Sequence, residues 1–185
     1  MAQKHIIAIH APSWAWKSEV MNHIRSVFPQ IWQVPNATTR PKRWSNDNDY
    51  HFTTKAEFLK MRKHKQILQS AKVETKWVKE YYWMMEPPED ISIIALEETW
   101  LKTVEEVCKK YNILFTKIYL EVPEPIRIQR MYARWDSTEN IASRANFDRV
   151  HFTKKWIWMC DYIIDASKSL EAVCKDIEEL ISKII

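Results

Sequence analysis

Apolar positions along this chain follow two rhythms. His5 to His10 reads H-I-I-A-I-H and is closed by Pro12 two residues later. A short apolar run bounded by a turn signal predicts a buried strand. From Lys17 to Phe28, Val20, Met21, Ile24 and Phe28 return at helical spacing, which predicts a helix. Strand, loop and helix in that order open a βαβ unit. Pro29 to Asn48 is polar and turn-rich, with Arg40, Lys42 and Arg43 close together. Thr53 and Thr54 precede a predicted helix over Lys55 to Lys65 and can cap it. Ile67 to Tyr82 predicts short strands, ended by Pro87 and Pro88. Ile91 to Leu96 predicts a second buried strand. Leu101 to Tyr111 follows as an amphipathic helix with Val104 and Val107 facing inward. Thr116 to Val122 alternates as a third strand, Pro125 to Arg134 is a basic helix, and Ile141 to Trp156 is another helix. Tyr162 to Ile164 is a last strand and Ser169 to Ile185 a closing helix. Strands alternating with helices predict an α/β fold, a central parallel sheet covered on both faces. The 185 residues suit one such domain.

The loop after the first strand carries the chemistry. Ala11, Pro12, Ser13, Trp14, Ala15, Trp16, Lys17 and Ser18 spell A-P-S-W-A-W-K-S. The phosphate-binding pattern G-x-x-x-x-G-K-[ST] keeps its lysine and hydroxyl here, and the loop lies between strand and helix as that pattern requires. Backbone N–H groups at a helix N-terminus hold phosphate oxygens. A lysine neutralises the β- and γ-phosphates, and a hydroxyl ligates Mg²⁺. Lys17 and Ser18 have the chemistry for the last two tasks, although the same K-S pair also describes a helix start with a solvated lysine.

Composition alters this picture at one point. The chain has no glycine and ten tryptophans, where average usage of about 7% would give roughly 13 glycines. Several tight turns without the residue that enters positive φ cheaply is physically odd. The net charge of +4 suits a phosphate-bearing ligand and is too small to argue for nucleic acid. Cys108, Cys160 and Cys174 are widely spaced, so neither a disulfide framework nor a zinc site is expected, and a reducing cytoplasm is the natural setting. Ile6 to Ala11 is too short for a signal peptide or membrane span.

Five segments in register resemble the guanylate kinase family, and together they run through the whole chain. Residues 11–18 are similar to its G-P-S-G-A-G-K-S loop. Ala37 to Arg43, A-T-T-R-P-K-R, and Asp49 to Phe52, D-Y-H-F, resemble T-T-R-x-x-R…D-Y-x-F. Tyr81–Tyr82–Trp83 resembles Y-Y-G. Arg130, Arg134–Trp135–Asp136 and Arg144 resemble the lid run R-x-x-x-R-G-x-D…R, and Asp161–Tyr162 a late D-Y strand. The resemblance implies a three-layer P-loop kinase fold in a single domain. Its core would span 1–34, 86–124 and 151–185, with a monophosphate-binding insert at 35–85 and a helical lid at 125–150. It implies ATP as phosphoryl donor with Mg²⁺ held at Ser18, and a small phosphorylated acceptor. Thr39, Arg40, Arg43, Tyr50, Gln69, Tyr82 and Glu97 would serve that acceptor, and Lys17, Arg130, Arg134 and Arg144 the transferring group. Arginine suits these tasks because its fork meets phosphate through two parallel hydrogen bonds. Arg130 and Arg134 at i, i+4 also describe a solvated helix face, and Glu97 beside Glu98 a surface carboxylate.

The departures fall on base recognition. Gln69 stands where the family reads guanine with a carboxylate, and an amide cannot accept from guanine N1–H and N2–H₂ together. Met84 replaces a hydroxyl, and Trp44–Ser45 stands where a glutamate follows the second arginine. The acceptor therefore stays open between GMP and ribose 1,5-bisphosphate, which a similar relative phosphorylates. A catalytically dead, protein-binding member is the third reading. Trp14, Trp16, Trp83 and Trp135 fall on glycine positions of the family. Since UGA is read as tryptophan in some genetic codes and as glycine in others, the expectation is that glycine is the physiological residue there.

Overall fold

The computed structural model describes residues 3–34, 36–42, 50–64, 66–74, 79–85, 90–96 and 98–185. The predicted first strand is β1 (His5–His10), followed by α1 (Lys17–Val27) and a two-residue strand, β2 (Trp32–Gln33). β7 (Ile91–Leu96), α3 (Glu98–Lys110) and β8 (Leu114–Glu121) come later, and β9 (Tyr162–Asp165) and α7 (Leu170–Ile184) close the chain. These strands form one five-stranded sheet in the order β2-β7-β1-β8-β9, with every pair parallel. β1 lies at its centre, which is why it is apolar on both faces.

Side chains of β1 alternate between two cores, as the strand period of two demands. Ile7 and Ile9 pack with Val20, Met21 and Ile24 of α1 and with Val173, Ile177 and Ile181 of α7. Ile6 and Ala8 pack on the opposite face with Leu101, Val104 and Cys108 of α3. Each isoleucine so enclosed contributes roughly 1.5–3 kcal/mol. Burial pushes the Cys108 thiol up to about 12, so it packs as a small apolar group. Asp161 fixes the start of β9: its carboxylate accepts from the Lys117 N–H at 2.7 Å, and its own N–H donates to the Lys117 carbonyl at 2.8 Å.

A second sheet of four strands is built from β3 (Asn36–Thr38), β4 (His51–Phe52), β5 (Ile67–Glu74) and β6 (Lys79–Met85) in the order β4-β3-β6-β5. It is mixed: β3 and β4 are parallel, the other pairs antiparallel. The helix α2 (Lys55–Lys63) covers it, with Phe58 buried and stacked on Tyr81 at 4.8 Å between ring centroids. Thr54 caps α2, its hydroxyl accepting from the Glu57 N–H at 3.2 Å.

Three details differ from the sequence expectations. The run from Ile67 to Tyr82 gives long strands, eight and seven residues, because each satisfies the other's backbone. Pro29 to Asn48 contributes β2, which pairs with β7 in parallel at Ser92 and Ile93. The helix expected over Ile141 to Trp156 is two: α5 (Thr138–His151) and α6 (Lys154–Ile157), preceded by α4 (Glu124–Ala133). The break falls at Phe152, whose ring stacks on buried His10 at 4.9 Å. Among the described residues no helix is long and apolar enough to cross a membrane.

Candidate active site

The site lies at the carboxyl end of β1. The chain leaves β1 toward β2 on one side of the sheet and leaves β8 toward β9 on the other. Adjacent strands with connections departing in opposite directions open a crevice at their carboxyl ends. Here residues 11–16 cross from β1 to α1, with Ala11, Pro12 and Ala15 buried. Trp14 has φ of 64° and Trp16 φ of 59°, both in the left-handed region. Trp16 is the N-cap of α1 and its carbonyl accepts the first helical hydrogen bond, from Val20 N–H at 2.9 Å. Lys17 and Ser18 thus occupy the first turn, where backbone N–H groups and the positive end of the helix dipole face outward. Lys17 Nζ lies 3.4 Å from the Ala11 carbonyl oxygen, folded back across the loop. Ser18 is exposed.

Arg130 of α4 and Arg134, the C-cap of that helix, reach this loop. The Arg130 guanidinium donates to the carbonyls of Trp14 at 3.2 Å and Ala166 at 2.7 Å, and its carbon sits 3.4 Å from the centroid of the Trp16 ring. Burial pulls its pKa down from the ordinary value. Arg134 stacks over the Trp14 ring at 4.8 Å and pairs with Glu19 of α1 at 3.0 Å. The structure therefore brings Lys17, Arg130 and Arg134 to one loop. The indoles of Trp14 and Trp16 lie against these two arginines, and a guanidinium in van der Waals contact with a ring leaves no room for a ligand between them. Arg144 is half-buried on α5, one turn before Asp148.

Two residues to which the sequence reading gave no role at this loop hold it. Asp148 of α5 accepts from the Ser13 N–H at 3.1 Å and from its hydroxyl at 3.1 Å. The same carboxylate pairs with Arg127 of α4, and both charged side chains are buried. The loop is thereby tied to both α4 and α5. No periodicity marks this triad, since Arg127 reads as one more cation on a basic helix and Asp148 as one polar residue among several. His10, at the end of β1, is buried as well. Its Nδ1 meets the Leu96 carbonyl at 3.0 Å, so Nδ1 carries the proton, and Nε2 has no hydrogen-bond partner among the described residues. Burial, aided by the Lys17 charge, brings its pKa down to about 4. Between pH 6.5 and about 4 the unfolded chain takes a proton that folded His10 refuses. Stability from this residue is thus full above pH 6.5 and is lost as pH falls toward 4. Burial lowers the pKa of His5 as well, in the same sense. His10→Phe is expected to flatten part of this acid slope in melting temperature against pH, and an unchanged slope would remove His10 as its source.

Just after β3, Arg40 is buried, its guanidinium over the rings of both Tyr50 at 5.1 Å and Phe52 at 4.8 Å. Thr39 extends the β3–β6 ladder: its N–H donates to the Tyr81 carbonyl at 3.0 Å, and its hydroxyl accepts from the Tyr81 N–H at 2.9 Å. Arg40, Thr39 and Tyr50 are thus brought together. Arg43, Glu97 and the segment around Trp44 lie outside the described residues, as do the side chains of Gln69, Tyr82 and Met84. By backbone register Gln69 pairs with Met84, and Tyr82 lies between Thr38 and Ala71. A cleft of about 300 Å³ opens beside the loop, lined among others by Pro12, Tyr119, Arg127, Phe152, Asp165 and Ser167. Among the described residues no group of three or more His, Cys, Asp or Glu is placed to hold a metal ion. A Mg²⁺ that arrives with nucleotide needs only a hydroxyl or carboxylate from the protein, because phosphates and waters supply the rest.

The guanylate kinase family model matches residues 3–184, nearly the entire chain. The chain belongs to the guanylate kinase family. The fold agrees: the crystal structure of guanylate kinase from Anaplasma phagocytophilum superposes with a TM-score of 0.63 over 98% of this chain and 86% of that one, at 16% identity. No curated protein sequence matches the chain. Guanylate kinases are nucleoside monophosphate kinases that use ATP and Mg²⁺, and this member has their central parallel sheet with its surrounding helices.

Trp135 shows the strain of the family's glycine positions in isolation. It follows α4 at φ of 62°, and its ring is 94% exposed. Replacing it by glycine removes a left-handed non-glycine residue worth about 1–2 kcal/mol and forfeits almost no packing. Trp135→Gly is therefore expected to raise the melting temperature by about 2–8 °C at the usual few degrees per kcal/mol. A fall in the melting temperature by calorimetry would contradict the assignment of strain.

Proposed function

We propose that this protein transfers the γ-phosphoryl group of Mg·ATP to the phosphate of GMP, forming ADP and GDP. The convergence of Lys17, Arg130 and Arg134 on the loop at the carboxyl end of β1 carries this reading. Phosphoryl transfer has a loose transition state, so positioning and charge neutralisation supply most of the catalysis. In this reading the N–H groups of residues 13–18 cradle the donor phosphates, Lys17 neutralises them, and Ser18 ligates Mg²⁺. The cleft beside Pro12 and Asp165 takes the donor's base. Arg130, Arg134 and Arg144 close over the transferring group from the lid at 125–150. Thr39, Arg40, Arg43, Tyr50 and Tyr82, in the insert at 35–85, hold the acceptor phosphate, with Gln69 and Glu97 toward the rest of the acceptor. The cradle has to be free of the two indoles for this to proceed.

Gln69 and Met84 favour a second acceptor, ribose 1,5-bisphosphate, which asks for phosphate contacts and no guanine carboxylate. The deciding experiment is ADP release by the Trp14→Gly/Trp16→Gly chain with Mg·ATP and GMP, AMP or ribose 1,5-bisphosphate. GMP is expected to give the highest kcat/KM. Higher turnover of the bisphosphate would transfer the assignment to it, and no ADP release with any acceptor would sink the kinase reading. On the acceptor side, Arg40→Lys keeps the charge and loses the fork. It is expected to raise the acceptor KM by about 10- to 100-fold, the worth of one charge-assisted hydrogen bond, and to leave the ATP KM unchanged. Equal changes in both constants would argue that Arg40 acts only through the fold.

A further inference from the structure

We infer that positions 14, 16 and 135, and with them the other seven positions written as tryptophan, are glycine in the protein its own cell makes, through UGA codons read there as glycine. Three observations converge on this. The first is the inventory of ten tryptophans and no glycine. Ten glycines in 185 residues would be an ordinary complement, since average usage is about 7%.

The second is backbone conformation. Among the described residues four have positive φ: Trp14, Trp16, Asn112 and Trp135. Asparagine enters this region at modest cost, and tryptophan has no such excuse. Asn112 and Trp135 occupy the same place in the same kind of helix end. After α3, the N–H of Asn112 points to the Lys109 carbonyl at 3.4 Å and that of Ile113 to the Cys108 carbonyl at 2.8 Å. After α4, the N–H of Trp135 donates to the Tyr132 carbonyl at 3.0 Å and that of Asp136 to the Met131 carbonyl at 3.2 Å. Both are Schellman ends, whose left-handed residue is usually glycine and sometimes asparagine. The chain uses the second choice at one end and tryptophan at the other.

The third is what the indoles do. Trp135 and Trp158 have 94% and 83% of their surface in solvent, although tryptophan's worth to a fold lies in burying a large ring. The Trp14 Nε1–H is buried with no hydrogen-bond partner among the described residues. Trp16 lies against Arg130. Selected tryptophans would bury their rings and satisfy their N–H groups. Glycine removes the strained φ, the orphan donor and the exposed rings in one change, and one codon rule covers all ten positions. It also turns Arg130 and Arg134 toward the space that the rings of Trp16 and Trp14 fill, and the loop then reads A-P-S-G-A-G-K-S.

The test is mass spectrometry of the peptides covering 5–17 and 131–144 from the protein made in its natural cells, with the gene sequenced alongside. The expected result is a glycine residue mass at 14, 16 and 135 and UGA at all ten codons. A tryptophan mass at any of the three, or UGG in the gene there, overturns the inference. A second comparison needs no natural host. The chain carrying all ten Trp→Gly changes is expected to melt higher than the chain with tryptophan, and an equal or lower melting temperature counts against the inference. Glycine peptides from an enzyme that phosphorylates no acceptor would sink the kinase reading and leave this one standing.

Discussion

The Trp14→Gly/Trp16→Gly chain is expected to bind Mg·ATP and turn over on the order of 10³-fold or more faster than the chain with both tryptophans. Loss of one preorganised charge-stabilising group costs about 10²–10³ in kcat, and an arginine finger contributes about 10³–10⁵. Here Arg130 and Arg134 are both engaged by the rings that glycine would delete. Binding is the more direct measurement. At ligand 100 times its Kd, a single native-state site gains about 2.7 kcal/mol, and a chain of this size gains about 2–4 °C per kcal/mol. The double variant should therefore melt about 5–11 °C higher with saturating Mg·ATP, whereas the tryptophan chain should not respond. Adding Lys17→Met to the double variant should abolish turnover. A folded double variant indifferent to Mg·ATP would mean that the loop is not a phosphate cradle at all.

Asp148→Ala should be the most damaging single substitution outside the loop. It strands the Arg127 guanidinium in a buried position and frees both Ser13 hydrogen bonds. Breaking a buried ion pair from one side costs about 3–5 kcal/mol, because the surviving charge has neither water nor partner. For a chain of this length that is a fall of about 6–20 °C in melting temperature. The apolar double variant Arg127→Met/Asp148→Leu should recover most of the loss, since the pair's worth lies largely in mutual compensation. It cannot restore the Ser13 contacts, so ATP affinity in the glycine-bearing chain should stay weakened even where the melting temperature returns. Full recovery of both would show that Asp148 matters to the fold alone.

Much of the fold was legible because its signals are local. The apolar run of β1, the helical spacing of Val20, Met21 and Ile24, and the capping hydroxyl of Thr54 each sit within a few residues of what they specify. The candidate site was legible only as positions: Lys17 and Ser18 open α1, and Arg130 and Arg134 lie one turn apart at the end of α4. Elements whose partners are distant in sequence were less so. β2 exists because Trp32 and Gln33 pair with β7 some sixty positions on. α5 stops at His151 because Phe152 turns inward to His10. Arg127 belongs to a helix that reads as basic and exposed, yet Asp148 draws it into the interior.

By itself, then, the sequence determined the order of strands and helices, the place of the loop between β1 and α1, and which charged residues lie near it in the chain. Periodicity and capping act over one or two turns, and they are written in consecutive residues. Tertiary structure alone decided that β1 lies between β7 and β8, that Asp148 clamps Ser13 and Arg127, and that Arg130 and Arg134 arrive over the loop. It also decided the sign of φ at Trp14 and Trp16. The chain must turn from the end of β1 into α1 within six residues, and that closure imposes a left-handed backbone whatever side chain is present.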